Sequence, residues 1–229
     1  MRSMPISTMI WEDVLFAHWR VNSNDLQKCL PAGIELDTYN GEAYLGIVPF
    51  FMKKMELTFL PYLSRLSFSQ INVRTYVKVA NQQGVYFFTL DTNNLLAMLG
   101  GKVAFKSPYA YANITLEKRD NEHYFQIKRP KTPLCFKAIY KSIGNTFYAE
   151  NGSLEHWLTE RYRFFTSHKG KIYFGDIDHG KWQLQKAALT IEGNNLFQSH
   201  RLPLPSGEPH LLFSSSLAVK AFQLRLFAF

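Results

Sequence analysis

Along residues 68–79, FSQINVRTYVKV, the side chains sort at a period of two. Ser69, Ile71, Val73, Thr75, Val77 and Val79 fall on one side; Phe68, Gln70, Asn72, Arg74, Tyr76 and Lys78 fall on the other. A strand with its first side buried produces this alternation, because successive side chains leave a pleated backbone in opposite directions. The second side sets two amides, a guanidinium and a phenol in one row. On an arbitrary strand such a row is a solvated face; in a closed sheet it is a lining for a small-molecule pocket.

The same reading extends to the rest of the chain. Residues 14–21 set Leu15, Ala17, Trp19 and Val21 against Phe16, His18 and Arg20, a first strand. Ser23 is placed to cap a short helix through Leu26 and Cys29, stopped by Pro31. Asn40-Gly41, between alternating runs at 34–39 and 42–48, predicts a hairpin, since both turn residues must take positive φ. Residues 50–66 are apolar without period and carry Pro61, so they read as a long connection over the core. A turn at 81–84 leads to an antiparallel partner at 85–91, where Asp91 is placed to cap a helix over 92–99 ended by Gly100-Gly101. Further strands are predicted at 109–118, 124–129, 135–142, 162–166, 172–176, 182–191 and 211–222, with another short helix opened by Ser153. Many short strands with two or three short helices predict a mainly β chain, closed or nearly closed as an antiparallel barrel. No linker or repeat interrupts residues 1–229, which read as a single domain.

Composition narrows the chemistry. Aromatics at 15%, mostly Phe and Tyr, suit strands and barrel interiors. The formal charge of +8 is dispersed, with no run of five like charges, no zinc-finger spacing and no RNA-binding aromatic signature. It reads as solubility, with an anionic ligand second, and nucleic acid is not expected. Cys29 and Cys135 have no CxxC spacing and the seven histidines no HxH or HExxH spacing, so neither a metal nor a disulfide framework is expected. His18 beside Trp19 and His179 near Trp182 are the two histidines to locate in a structure. No Gly-x-Gly-x-x-Gly, phosphate loop or Gly-x-Ser-x-Gly elbow occurs, and Ser214 to Ser216 read as packing, so no cofactor is implied. Residues 1–11 lack a basic start with an apolar core, and no stretch reaches the ~18 apolar residues of a span. A cytoplasmic protein without membrane contact is expected.

Several blocks carry a resemblance: WEDVLFAHWRV at 11–21, LPAGIELDTYNGEAYLGIVPF at 30–50, NVRTYV at 72–77, GVYFFTLD at 84–91 and LTERYRFF at 158–165. Together they resemble the YqjF-like bacterial proteins, a family of uncharacterised function similar in fold to acetoacetate decarboxylase. The resemblance implies a cone-shaped, mainly antiparallel barrel with an interior ligand site. Acetoacetate decarboxylase itself works through a lysine that forms a Schiff base with a keto acid, its paired lysines following a Gly-Arg-x-x-x-Gly-x-Pro run. The comparable run here is Gly101 to Pro108, and the two residues after it are Tyr109 and Ala110. Neither can form an imine. Lys102 and Lys106 are the displaced amines of that run and read as exposed and structural. Gln70 stands where relatives are expected to carry a glutamate, which removes an acid or base but keeps hydrogen bonding.

Glu160-Arg161-Tyr162 reads as a buried hydrogen-bonded corner, or else as a carboxylate reaching the pocket to pair with Arg74. The site expected from all this is a ligand pocket lined by Gln70, Asn72, Arg74, Tyr76, Tyr109, Glu160 and Arg161. Arg74 would clamp a small anionic molecule, a carboxylate by class. By analogy any reaction would be lyase-like chemistry on a carbonyl acid without a Schiff-base lysine. The alternative is a non-catalytic binding or subunit-interaction protein, and a homo-oligomer is compatible with either.

Overall fold

The computed structural model describes residues 4–61, 64–130 and 132–228. The chain opens with β1 (Ser7–Val21), α1 (Ser23–Lys28), β2 (Glu35–Leu36) and β3 (Ala43–Leu57). It continues through β4 (Leu66–Val79), β5 (Gln82–Thr92), α2 (Leu95–Phe105), β6 (Tyr109–Tyr111) and β7 (Asn113–Arg119). Then come β8 (Glu122–Lys128), β9 (Cys135–Phe147), α3 (Leu154–Thr159), β10 (Arg163–His168) and β11 (Lys171–His179). The chain finishes with β12 (Leu184–Asn194), α4 (Leu196–Ser199), β13 (His210–Ala221) and β14 (Arg225–Leu226).

All the strands join one sheet, and part of it closes on itself. Hydrogen-bonded neighbours run β11-β10-β5-β4-β3-β1-β13, and a further pairing of β13 with β11 completes the ring. The pairing is antiparallel except where β10 meets β5, a parallel contact of two residue pairs, Phe164↔Val85 and Phe165↔Tyr86. Beyond β13 the sheet continues as a wing, β12-β9-β8-β7. This is the mainly β, closed architecture expected from the strand count.

The wing explains why β4 is buried on both sides. Ile71 and Val73 join Leu15, Ala17, Leu45 and Ile47 in one core with Phe125, Phe136 and Tyr140 of the wing. The opposite side of the same strands turns into the ring, where Val14, Phe16, Val48, Phe50 and Met52 pack with Trp182. On β1 the inward positions switch phase at Asp13: Met9 and Trp11 before it, Val14 and Phe16 after it, all line the interior. Asp13 takes φ 53° and the register to β3 slips there. His123 on the wing, 3.0 Å away, and Lys118, 3.6 Å away, hold its carboxylate in place.

Several local expectations give way to tertiary context. Residues 50–57 are strand, not connection: β3 runs to Leu57, and its pairing slips against β1 between Ile10 and Trp11 and against β4 between Met52 and Met55, which breaks the alternation that would have revealed it. Asn22, not Ser23, caps α1, accepting from Asp25 N–H at 3.0 Å. The Asn40-Gly41 turn forms with φ of 51° and 83°, yet β2 pairs with β4 through Glu35↔Lys78 and Leu36↔Val77, not across the turn. Asp91 caps nothing; it is buried and takes two hydrogen bonds from Arg129, 2.7 and 2.9 Å long. Asn94 caps α2 instead, and the helix runs through Gly100-Gly101 to a left-handed Lys106. Gly101 is needed inside it because the Tyr109 ring lies where a side chain would go. The run 109–118 breaks at Ala112, with β6 parallel to β5 and β7 antiparallel to β8. Among the described residues no helix is long and apolar enough to cross a membrane.

Candidate functional site

Inside the ring lies a cavity offering about 110 Å³ to the centres of water molecules. Gln70, Asn72 and Arg74 of β4 line it along one wall, so the polar row faces the interior. Phe16, Phe50, Phe87, Phe105, Phe164 and the two indoles of Trp11 and Trp182 add aromatic walls. Among the described lining residues there are three arginines, Arg74, Arg161 and Arg163, and no Asp, Glu or Lys.

At one end Arg74 is fixed from behind. One terminal nitrogen donates to the Leu158 carbonyl at 3.1 Å and to the Tyr76 hydroxyl at 3.3 Å, while the guanidinium lies over the Phe16 ring at 5.4 Å. Tyr76 does not line the cavity; its hydroxyl sits 2.7 Å from both the Leu158 carbonyl and His18 Nε2. Burial, then the charges of Arg74 and His210, push the His18 imidazole well below its ordinary value, so it is neutral. Burial likewise raises the Tyr76 phenol above its ordinary value, with Arg74 pulling the other way. Arg74 has no carboxylate partner among the described residues, and its Nε makes no hydrogen bond.

At the other end stand Gln70 and Tyr109. Burial pushes the Tyr109 phenol up to about 12, with the Gln70 amide pulling the other way. Trp11 packs on Phe50 at 5.1 Å and Trp182 on Phe16 at 4.9 Å, so the indoles form the wall facing the row.

The remaining predicted residues lie at the mouth. Arg161, Arg163, Ile177 and His179 line both the cavity and a wider outer cleft of about 830 Å³. Arg161 donates to the Trp157 carbonyl at 2.7 Å, sits 3.1 Å from Asp37, and stacks over the Trp157 ring. Burial lowers its pKa, and Asp37 opposes that. Arg163 pairs with Asp176 at 2.6 Å. Glu160 belongs to the outer cleft: it accepts from Trp182 N–H at 3.1 Å and from the Tyr162 hydroxyl, the hydrogen-bonded corner. Burial, then Glu160, raise the Tyr162 phenol. His179 stacks on Tyr162 at 4.4 Å.

Lys102 is exposed, and Lys106 caps α2 with its amine 5.4 Å from the Tyr173 ring; neither lines the cavity. Sequence reasoning missed Trp11, Phe16, Arg163 and Trp182 as lining residues. The signal for the first two was hidden by the phase switch at Asp13. Arg163 and Trp182 enter from segments far along the chain, and no spacing announces them.

Comparison with known proteins places this geometry. The DUF2071 family model, described as an uncharacterized conserved protein, matches residues 8–218. The chain belongs to the DUF2071 family. Uncharacterized protein YqjF of Bacillus subtilis (strain 168) is 38% identical over 222 residues, 96% of this chain and 92% of YqjF. Among solved structures, the enduracididine biosynthesis enzyme MppR with HEPES bound superposes at a TM-score of 0.71, with 12% identity over 99% of this chain and 89% of its own. Acetoacetate decarboxylase of Legionella pneumophila superposes at 0.68, with 11% identity over 99% of this chain and 88% of its own. At such identities the likeness concerns fold alone: this DUF2071 chain has the acetoacetate decarboxylase-like β architecture. The family resemblance read from its sequence blocks holds.

Proposed function

We propose that the ring interior binds a small anionic organic molecule, a short carboxylate by class, clamped by Arg74. The observation that carries this reading is a buried guanidinium on the cavity wall with no carboxylate partner among the described residues. Arg161 and Arg163 have Asp37 and Asp176 to balance them. An uncompensated buried cation is costly, and an anion docked on its free Nε offsets that cost with charge-assisted hydrogen bonds. Asn72, Gln70 and Tyr109 would orient the ligand, and Tyr76 with His18 would hold Arg74 in place. One MppR structure, similar in fold at a TM-score of 0.67, contains pyruvate, which supports a small carbonyl acid as a starting probe.

Binding without turnover fits this lining better than catalysis, because neither a lysine nor a carboxylate lines the cavity among the described residues. Any lyase-like step on a carbonyl acid would proceed without an imine. We place the protein in the cytoplasm on the same footing. A thermal-shift screen of short carboxylates tests the clamp: wild type is stabilised, and Arg74→Ala, checked for folding by circular dichroism, is not. Equal shifts in both proteins overturn the assignment.

A further inference from the structure

Apart from a terminal nitrogen of Arg161, which stands 3.1 Å from the Asp37 carboxylate, five buried polar atoms on residues lining the cavity make no hydrogen bond: Nε1 of Trp11 and of Trp182, Nε of Arg74, Oε1 of Gln70 and Oδ1 of Asn72. Buried polar atoms are as a rule paired, and one left bare bears its full desolvation penalty. All five belong to residues that line one small space, and a ligand that paired them would be their complement.

Three of the five are donors and two are acceptors. A carboxylate on Arg74, with its remaining lone pairs toward an indole, answers the donors. It offers nothing to the amide oxygens, which need a hydrogen from the ligand. Turning the Gln70 amide end for end would put a donor where its bare oxygen stands, and the Asn72 oxygen would remain the acceptor in need of a hydrogen. Position adds a constraint. Arg74 and Asn72 are alternate residues of one strand, so their side chains leave the backbone about 6.8 Å apart. An anion at Arg74 therefore sets the next carbon or two of a short chain beside the Asn72 amide. Charge adds another. With three arginines and no Asp or Glu among the described lining residues, an ammonium donor would stand uncompensated, while a hydroxyl would not.

Resting on the assignment of a carboxylate to Arg74, we infer that the ligand is a short hydroxycarboxylate whose hydroxyl donates to Asn72, and that the site discriminates against the matching keto acid. A site built to accept from a hydroxyl rejects an analogue that cannot donate, because the partner oxygen is then left bare.

NMR titrations of wild type with matched acids test this. The pairs are D- and L-lactate against pyruvate, and (R)- and (S)-3-hydroxybutyrate against acetoacetate, with L-alanine as the ammonium analogue. In at least one pair a hydroxy acid is expected to bind roughly tenfold or more tightly than its keto partner. Asn72→Leu should erase that advantage while sparing the keto acid, and Arg74→Ala should abolish binding of both. Keto acids binding as tightly as their hydroxy partners, with Arg74→Ala still abolishing both, overturn the hydroxyl assignment and leave the anion site standing. L-alanine matching L-lactate overturns the choice of hydroxyl over ammonium. Failure of every acid to bind overturns this inference together with the Arg74 clamp. The wild-type comparison decides even if a variant does not fold.

Discussion

Gly46 gives His18 its place. The two residues face each other across β1 and β3, and a Cβ on Gly46 would stand 2.6 Å from both Cδ2 and Nε2 of the imidazole. Gly46 is also the register partner of Arg74 on β4. One missing side chain therefore lets His18 lean under Tyr76 and sets the posture of the clamp. Gly46→Ala is expected to cost about 1–3 kcal/mol by overpacking, read from urea melts, and to weaken carboxylate binding. Gly100→Ala on α2, where nothing lies within 4 Å, is the contrast: about 0.5–1 kcal/mol of added stability from helix propensity.

Acid sensitivity follows from the same histidine. Below 6.5 the unfolded chain takes up a proton at His18 that the folded chain refuses, so the unfolded state binds more protons and stability falls with pH. Burial lowers His210 in the same direction. For Asp13, burial alone would raise the carboxyl, but hydrogen bonding and charge from His123 and Lys118 carry it below 3.8, which adds a loss at lower pH. The melting temperature should be level above pH 7 and decline from about pH 6.5 downward. His18→Gln should flatten the upper part of that decline; an unchanged slope would refute a neutral buried His18. At the alkaline limit the phenol of Tyr109, pushed to about 12 by burial, keeps its proton while an unfolded tyrosine loses it near 10, so stability falls again as pH rises past 10.

Asp37 and Arg161 form a buried pair, with Lys78 a further 3.3 Å from the carboxylate. Removing one member strands the other. Asp37→Ala is expected to lose about 3–5 kcal/mol, while Asp37→Leu combined with Arg161→Met should recover much of it. A double variant no better than the single one would assign the pair a role beyond charge balance.

Trapping with borohydride in the presence of pyruvate or acetoacetate should give no lysine adduct by mass spectrometry. The nearest amines in sequence, Lys102 and Lys106, lie outside the cavity lining. A stoichiometric adduct at either would mean that α2 moves far enough to bring an amine inside.

Much of this was legible in the chain because β4 alternates cleanly. Gln70, Asn72 and Arg74 could be placed on one side from spacing alone, and the turn chemistry of Asn40-Gly41 was equally plain. What stayed hidden was what depends on contact between distant segments. Residues 50–57 slip register against both neighbouring strands and so lose the period that marks a strand. Asp91 sits where a cap would, but Arg129, 38 residues on, claims it. Gly100-Gly101 resembles a helix stop because nothing local tells that Tyr109 will lie against the helix. Tyr76 belonged to the polar row by spacing yet serves behind it, since Leu158 and His18 draw its hydroxyl away from the cavity.

The parallel meeting of β5 and β10 has a kinetic meaning. Two register pairs hold the ring shut there, against eleven between β1 and β13. Val85, Phe87 and Phe164 on either side of that junction also wall the cavity. Thermal breathing will be concentrated where the ladder is shortest, so backbone amides at 85–87 and 163–165 should exchange with deuterium ahead of those in β1 and β4. A ligand that slows exchange at those positions alone would reveal the route by which it enters and leaves.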